Sequence, residues 1–198
     1  MTLPTLERTG LAWIAADDPA VLERIHDGHV HLALWRRRLS PDFGWIDSLD
    51  LHQIDDVQET LPVADLPVAV AAALRNAGYP DGRSAAALAM ELVALARRFA
   101  RIVAGEAVRI RLEVIETDAC RKFHMDNVTA RLLMPLTEPG TQWIEANGGA
   151  DPQVNQLRAG DVGLFKGRLW TDAPAILHRS PPIAYAARSR VLLVIDVA

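Results

Sequence analysis

Between Ser84 and Val103 the apolar residues Leu88, Leu92, Leu95, Phe99 and Ile102 recur at spacings of four, three, four and three. That is one stripe of an amphipathic helix, with Arg97, Arg98 and Arg101 off the stripe. Upstream, "DLPVAVAAALRNAGY" predicts a helix closed by Gly78. "DDPAVLERI" predicts a short helix, with Asp17 or Asp18 as cap and Pro19 at a tolerated early position. "SPDFGWIDSL" predicts another after a turn. In this half only "GHVHLALWRR" alternates, with Val30, Leu32 and Leu34 on one face and His29, His31, Ala33 and Trp35 on the other, as a strand requires.

Past Gly105 the period falls to two. "VRIRLEVIE" alternates apolar and charged residues, "HMDNVTARLLM" is extended, and "PGTQWIEANGG" places a strand between turns. "QVNQLRAGDVGLFKG" has two short runs around an Ala-Gly-Asp turn made by Gly160 and Asp161, and "RVLLVIDVA" is a final apolar strand. Short, closely spaced strands predict a barrel or sandwich rather than βαβ units. The expected fold class is therefore α+β, with N-terminal helices packed on a C-terminal β-barrel. Residues 1–198 form a single domain in this reading: 1–104 a mainly helical flank with one strand, 105–198 the barrel core.

Composition narrows the function classes. The formal charge is −4, with acids and bases interspersed, which argues against a nucleic-acid surface. No run approaches the ~20 apolar residues of a membrane span, and the N-terminus has no basic region leading into an apolar one. The single cysteine cannot form an internal disulfide, so a reducing cytoplasm is the expected compartment. The expected partner is a small-molecule substrate, with no nucleic acid and no membrane, and the oligomeric state is left open.

The candidate chemistry lies in "CRKFHMDN", residues 120–127. In a strand, His124 and Asp126 project from one face and offer an imidazole and a carboxylate to one cavity. His178 follows 54 residues after His124, enough chain for about four strands of ~5–6 residues, so a closed barrel can return it beside them. Two histidines and a carboxylate on one side of a metal leave the other positions open, as in non-haem Fe(II) oxygenases. Cys120 points elsewhere: a thiolate is a soft ligand, and Cys120, His124, Asp126 and His178 together would close a tetrahedral zinc site.

The order "HMDN", "LRAGDVGLF", "ILHRSPPIAYAARSRVLLVIDV" resembles the C-terminal half of the cupin-like, double-stranded β-helix oxygenases that use Fe(II) and 2-oxoglutarate. The resemblance covers about residues 105–198 and implies a jelly-roll barrel with His124, Asp126 and His178 as ligands. It also implies that Arg190 or Arg188 holds the far carboxylate of the co-substrate, a task suited to a planar guanidinium. Nearly the whole chain also resembles a bacterial family of unknown function, which implies no activity. Three readings stand: an Fe(II)/2-oxoglutarate oxygenase, a zinc protein using Cys120 in hydrolysis, isomerisation or metal handling, and a non-catalytic binding barrel. Asn127 and Trp143 are expected near the ligands, Arg121 and Lys122 toward solvent. His29 and His31 share a strand face, near His26, and offer a second, less favoured metal clip.

Overall fold

The computed structural model describes residues 12–117, 120–182 and 189–198. The strands are β1 (Trp13–Ala16), β2 (Leu32–Trp35), β3 (Val57–Pro62), β4 (Ala107–Ile115), β5 (Ala130–Pro135), β6 (Gln142–Glu145), β7 (Asn155–Gln156), β8 (Val162–Lys166), β9 (Ile176–Arg179) and β10 (Arg190–Val197). Two α-helices, α1 (Leu66–Asn76) and α2 (Arg83–Val103), lie between β3 and β4. The two short helices expected from "DDPAVLERI" and "SPDFGWIDSL" form as 3₁₀ turns, Pro19–His26 and Pro41–Ser48, capped by Asp18 and Ser40.

Seven strands make the main sheet, in the order β1-β2-β8-β5-β10-β4-β3, and a second sheet has the order β7-β6-β9. The flank therefore contributes three strands, not the single one expected. β1 is a short apolar run pairing in parallel with β2, and β3 is a mostly exposed edge paired with β4. Neither carries the alternation that reveals a strand in sequence. Together they extend a sheet whose central strand is β5, flanked by β10, an eight-residue strand buried at every position but its last.

The main sheet separates two apolar layers. One face presents Ile110, Leu112, Leu132, Leu164, Val191, Leu193 and Ile195 to the buried stripe of α2. That stripe is Leu88, Leu92, Leu95, Phe99 and Ile102, as the spacing predicts. α1 ends as expected, with Gly78 at φ 89° and the Tyr79 N–H donating to the Leu74 carbonyl. The other face sends Leu32, Leu34, Leu133, Phe165, Leu192 and Val194 toward Trp143 and Ile176 of the second sheet. Among the described residues no helix is long and apolar enough to cross a membrane.

Candidate metal centre

The gap between the sheets opens into a cavity of about 390 Å³, lined by β4, β5, β9 and β10 together with Glu116, Thr117, Cys120 and His124. Alternation puts Arg111 and Glu113 of β4, Arg131 and Leu133 of β5, and Arg190, Leu192 and Val194 of β10 on its floor. Of the charges in "VRIRLEVIE", Arg111 and Glu113 thus face the cavity, while Arg109 is exposed.

His124 and Asp126 do not sit in a regular strand, because β5 begins only at Ala130. His124 instead forms an isolated antiparallel bridge with His178, each N–H donating to the other's carbonyl at 3.0 and 2.9 Å. Asp126 is fastened from the turn after β8: the Arg168 N–H donates to the Asp126 carbonyl at 2.9 Å. Gly167 approaches so closely that an added Cβ would meet the Val128 carbonyl oxygen at 2.0 Å. Only a residue without a side chain permits this approach.

These contacts bring the ligand atoms of His124, Asp126 and His178 within 4.8 Å of one another. His124 Nε2 lies 3.5 Å from Asp126 Oδ1, and His178 Nε2 lies 2.9 Å from Asp126 Oδ2. Two donors about 2.1 Å from a metal at right angles lie roughly 3 Å apart, so the spacing suits a shared ion. Besides this 2.9 Å contact with His178, the buried Oδ2 meets no hydrogen-bond donor among the described residues. His124 Nδ1 lies 2.9 Å from the Lys122 carbonyl; donation there places the proton on Nδ1 and leaves the Nε2 lone pair free. Burial would raise the Asp126 carboxyl, but His124, His178 and Arg131 beside it outweigh this and hold it well below the usual carboxylate range. Asp126 in turn raises His124.

Arg190 is the second feature of the cavity. It is 1% exposed. Its Nη2 donates to Ser180 Oγ at 2.8 Å, while Nε and Nη1 have no hydrogen-bond partner among the described residues. Burial pushes its pKa down to about 10, against the pull of Glu113 and Cys120, so it remains charged at neutral pH. A buried cation with idle donors is costly unless an anion completes it.

The other expected residues are placed as follows. Arg188 lies outside the described residues. Cys120 lines the cavity but is exposed and outside the three-residue cluster, so the four-ligand zinc geometry is not formed. Trp143 is buried against Trp13 rather than on the cavity wall, and Asn127 is exposed. Among the described residues, His26, His29 and His31 form no cluster suited to a metal; His26 Nε2 contacts the Ile102 carbonyl at 3.0 Å. Asp161 makes its turn, accepting from the Arg158 and Arg37 N–H groups.

Sequence reasoning missed the floor beneath the ligands. Asp196, 3% exposed, accepts from Arg131 Nε at 2.7 Å, Arg131 Nη2 at 2.8 Å and Arg111 Nη2 at 3.0 Å. Arg131 Nη1 reaches Asp126 Oδ1 at 2.6 Å, and Arg111 Nη1 reaches Glu113 at 2.6 Å. The one available signal was a lone aspartate inside the apolar run "RVLLVIDV".

Fold and site together define a mixed α/β protein with a two-histidine, one-carboxylate cluster beside a buried arginine. The chain belongs to the family described as "Protein of unknown function (DUF1826)", whose model matches residues 16–196. No curated protein matches it significantly in sequence. In structure it is similar to a Pseudomonas putida prolyl-4-hydroxylase (TM-score 0.49, 14% identity, 89% of this chain and 96% of that one). It is also similar to a 2OG-Fe(II) oxygenase-family oxidoreductase from Burkholderia pseudomallei (TM-score 0.45, 12% identity, 95% of each chain). A third similar structure is the rice dioxygenase for auxin oxidation (TM-score 0.44, 16% identity, 71% of this chain). The chain spans about half the length of the rice protein, 55% of it.

Proposed function

We propose that this protein is a mononuclear Fe(II) oxygenase that uses 2-oxoglutarate to hydroxylate a small molecule, within one double-stranded β-helix domain of the cytoplasm. The observation that carries the reading is that two unmet needs share one cavity. His124, His178 and Arg190 line it; among the described residues Asp126 Oδ2, flanked by the two imidazoles, and Arg190 Nε and Nη1 are buried without a hydrogen-bond partner. His124, Asp126 and His178 would hold the metal through Nε2, Oδ2 and Nε2. Fe(II) bound there with 2-oxoglutarate and O₂ supplies the oxidising chemistry.

The chain's own residues do the rest. Arg190, kept charged and nearly dry, binds the distal carboxylate of the co-substrate through Nε and Nη1, and Ser180 holds the guanidinium in place. Arg111, Arg131, Arg179 and Arg190 line the cavity with Asp56, Glu113 and Glu116, and Asp126 and Asp196 pair with Arg131 beside it. A dication entering with a dianion preserves the local charge, whereas either one alone disturbs it.

The test is calorimetric titration of 2-oxoglutarate into Fe(II)-loaded protein under anaerobic conditions. Saturable heat at micromolar to low millimolar ligand is expected. Arg190→Ala should weaken the binding by roughly 2–5 kcal/mol, because it leaves a buried carboxylate unpaired. No heat at millimolar 2-oxoglutarate would refute the co-substrate assignment.

A further inference from the structure

We propose that Arg131 is a positioning residue, one that clamps Asp126 Oδ1 to the sheet and so makes Oδ2 the single carboxylate oxygen offered to the metal. The proposal rests on the metal-site reading above. Asp126 needs such a clamp. It sits in the irregular stretch before β5, and a short carboxylate there can swing away, or turn to present both oxygens to an ion. Arg131 Nη1 lies 2.6 Å from Oδ1, whereas Oδ2 faces the His178 imidazole at 2.9 Å. The clamp therefore falls on one oxygen and not the other.

Arg131 is itself held. Its Nε and Nη2 grip both oxygens of Asp196 in a fork, at 2.7 and 2.8 Å. Asp196 also accepts from Arg111, and Arg111 from its other side donates to Glu113. These residues stand on β5, β10 and β4, three adjacent strands whose ladder pairs Asp196 with Arg131 and Val194 with Arg111. To release Asp126, the guanidinium would have to break a bidentate pair anchored in the centre of the sheet. Rigid backbone thus reaches a ligand in a segment that has no ladder of its own. Partners of this kind around metal ligands typically change metal affinity 10–100-fold when removed.

If Arg131 only balanced charge, its replacement would alter stability and leave the ion's surroundings unchanged. The probe is Co(II), whose visible absorption reports coordination number and geometry. Wild type, Arg131→Lys and Arg131→Gln are titrated with Co(II), and folding is checked by thermal melt. Arg131→Lys keeps the charge but cannot serve both aspartates, so it should lose about 10-fold in Co(II) affinity; Arg131→Gln should lose about 100-fold. Both should change the Co(II) band positions and intensities as the freed carboxylate turns. If Arg131→Gln fails to fold, Arg131→Lys with Asp196→Asn, which loosens the clamp from behind, carries the same expectation. Folded variants with wild-type affinity and an unchanged spectrum would overturn the proposal. A wild-type protein that takes up no Co(II) would instead remove the metal-site reading on which it stands.

Discussion

The two faces of the seven-stranded sheet are built on opposite principles. The face toward α2 is dominated by apolar side chains, which contribute through buried area, about 1.5–3 kcal/mol for each large side chain. Such a face tolerates volume-conserving exchange. The cavity face carries Arg111, Glu113, Arg131, Arg190 and Asp196 on the same three strands. Taking these charges out of water offsets most of what their pairing returns, so a buried network adds little net stability. It is fragile as well, since each deletion strands a partner. What the network does is fix geometry next to Asp126. One face holds the fold together, and the other orients the site.

The largest expected change follows from breaking the charged face at its hub. Asp196→Ala leaves Arg131 and Arg111 facing each other with no carboxylate between them. It should destabilise the protein by about 3–5 kcal/mol in urea denaturation, and the folded fraction should bind metal more weakly. A loss under ~1 kcal/mol would mean that the hub is solvated and the contrast between the faces is wrong.

Leu92→Ala on the helix face should cost about 2–5 kcal/mol through its cavity, with metal affinity per folded molecule unchanged. Coupling between this site and metal affinity would show that the faces are not separable.

The smallest effect is with pH. The Asp126 carboxylate raises His124 above its ordinary 6.5. The proton competes with the metal for this imidazole, so metal affinity should climb as pH rises through the region above 6.5 and then level off. For metal-free protein the sign is opposite. The protonated pair stabilises the fold fully below 6.5, and this contribution is lost as pH rises through the raised value. Urea titrations at several pH values, with and without metal, should give slopes of opposite sign; slopes of one sign would contradict the His124–Asp126 pairing.

The sequence made the helix face legible because 3.6-residue periodicity and burial coincide there: every residue of the Leu88–Ile102 stripe is buried. The cavity face was harder. Alternation in "VRIRLEVIE" reveals that the strand has two faces, but not whether its charges meet water or one another. Arg111 therefore reads as a solvent residue, although its side chain is 18% exposed. Asp196 was hidden inside a run that looks wholly apolar, and its partners come from β4 and β5, far off in sequence. His124, Asp126 and His178 were found by spacing, yet for an incomplete reason. They converge through a β-bridge and a glycine contact rather than through the i, i+2 face of a strand. β1 and β3 went unread because pairing, rather than pattern, makes them strands.

If His124, Asp126 and His178 hold one Fe(II) in a site with open positions, its iron content depends on His178 and not on Cys120. The experiment is anaerobic loading with Fe(II), removal of free metal, and metal analysis of wild type, His178→Ala and Cys120→Ser. Wild type should retain one iron per chain, His178→Ala nearly none, and Cys120→Ser the wild-type content. Iron retained by His178→Ala, or lost on changing Cys120, would contradict that assignment.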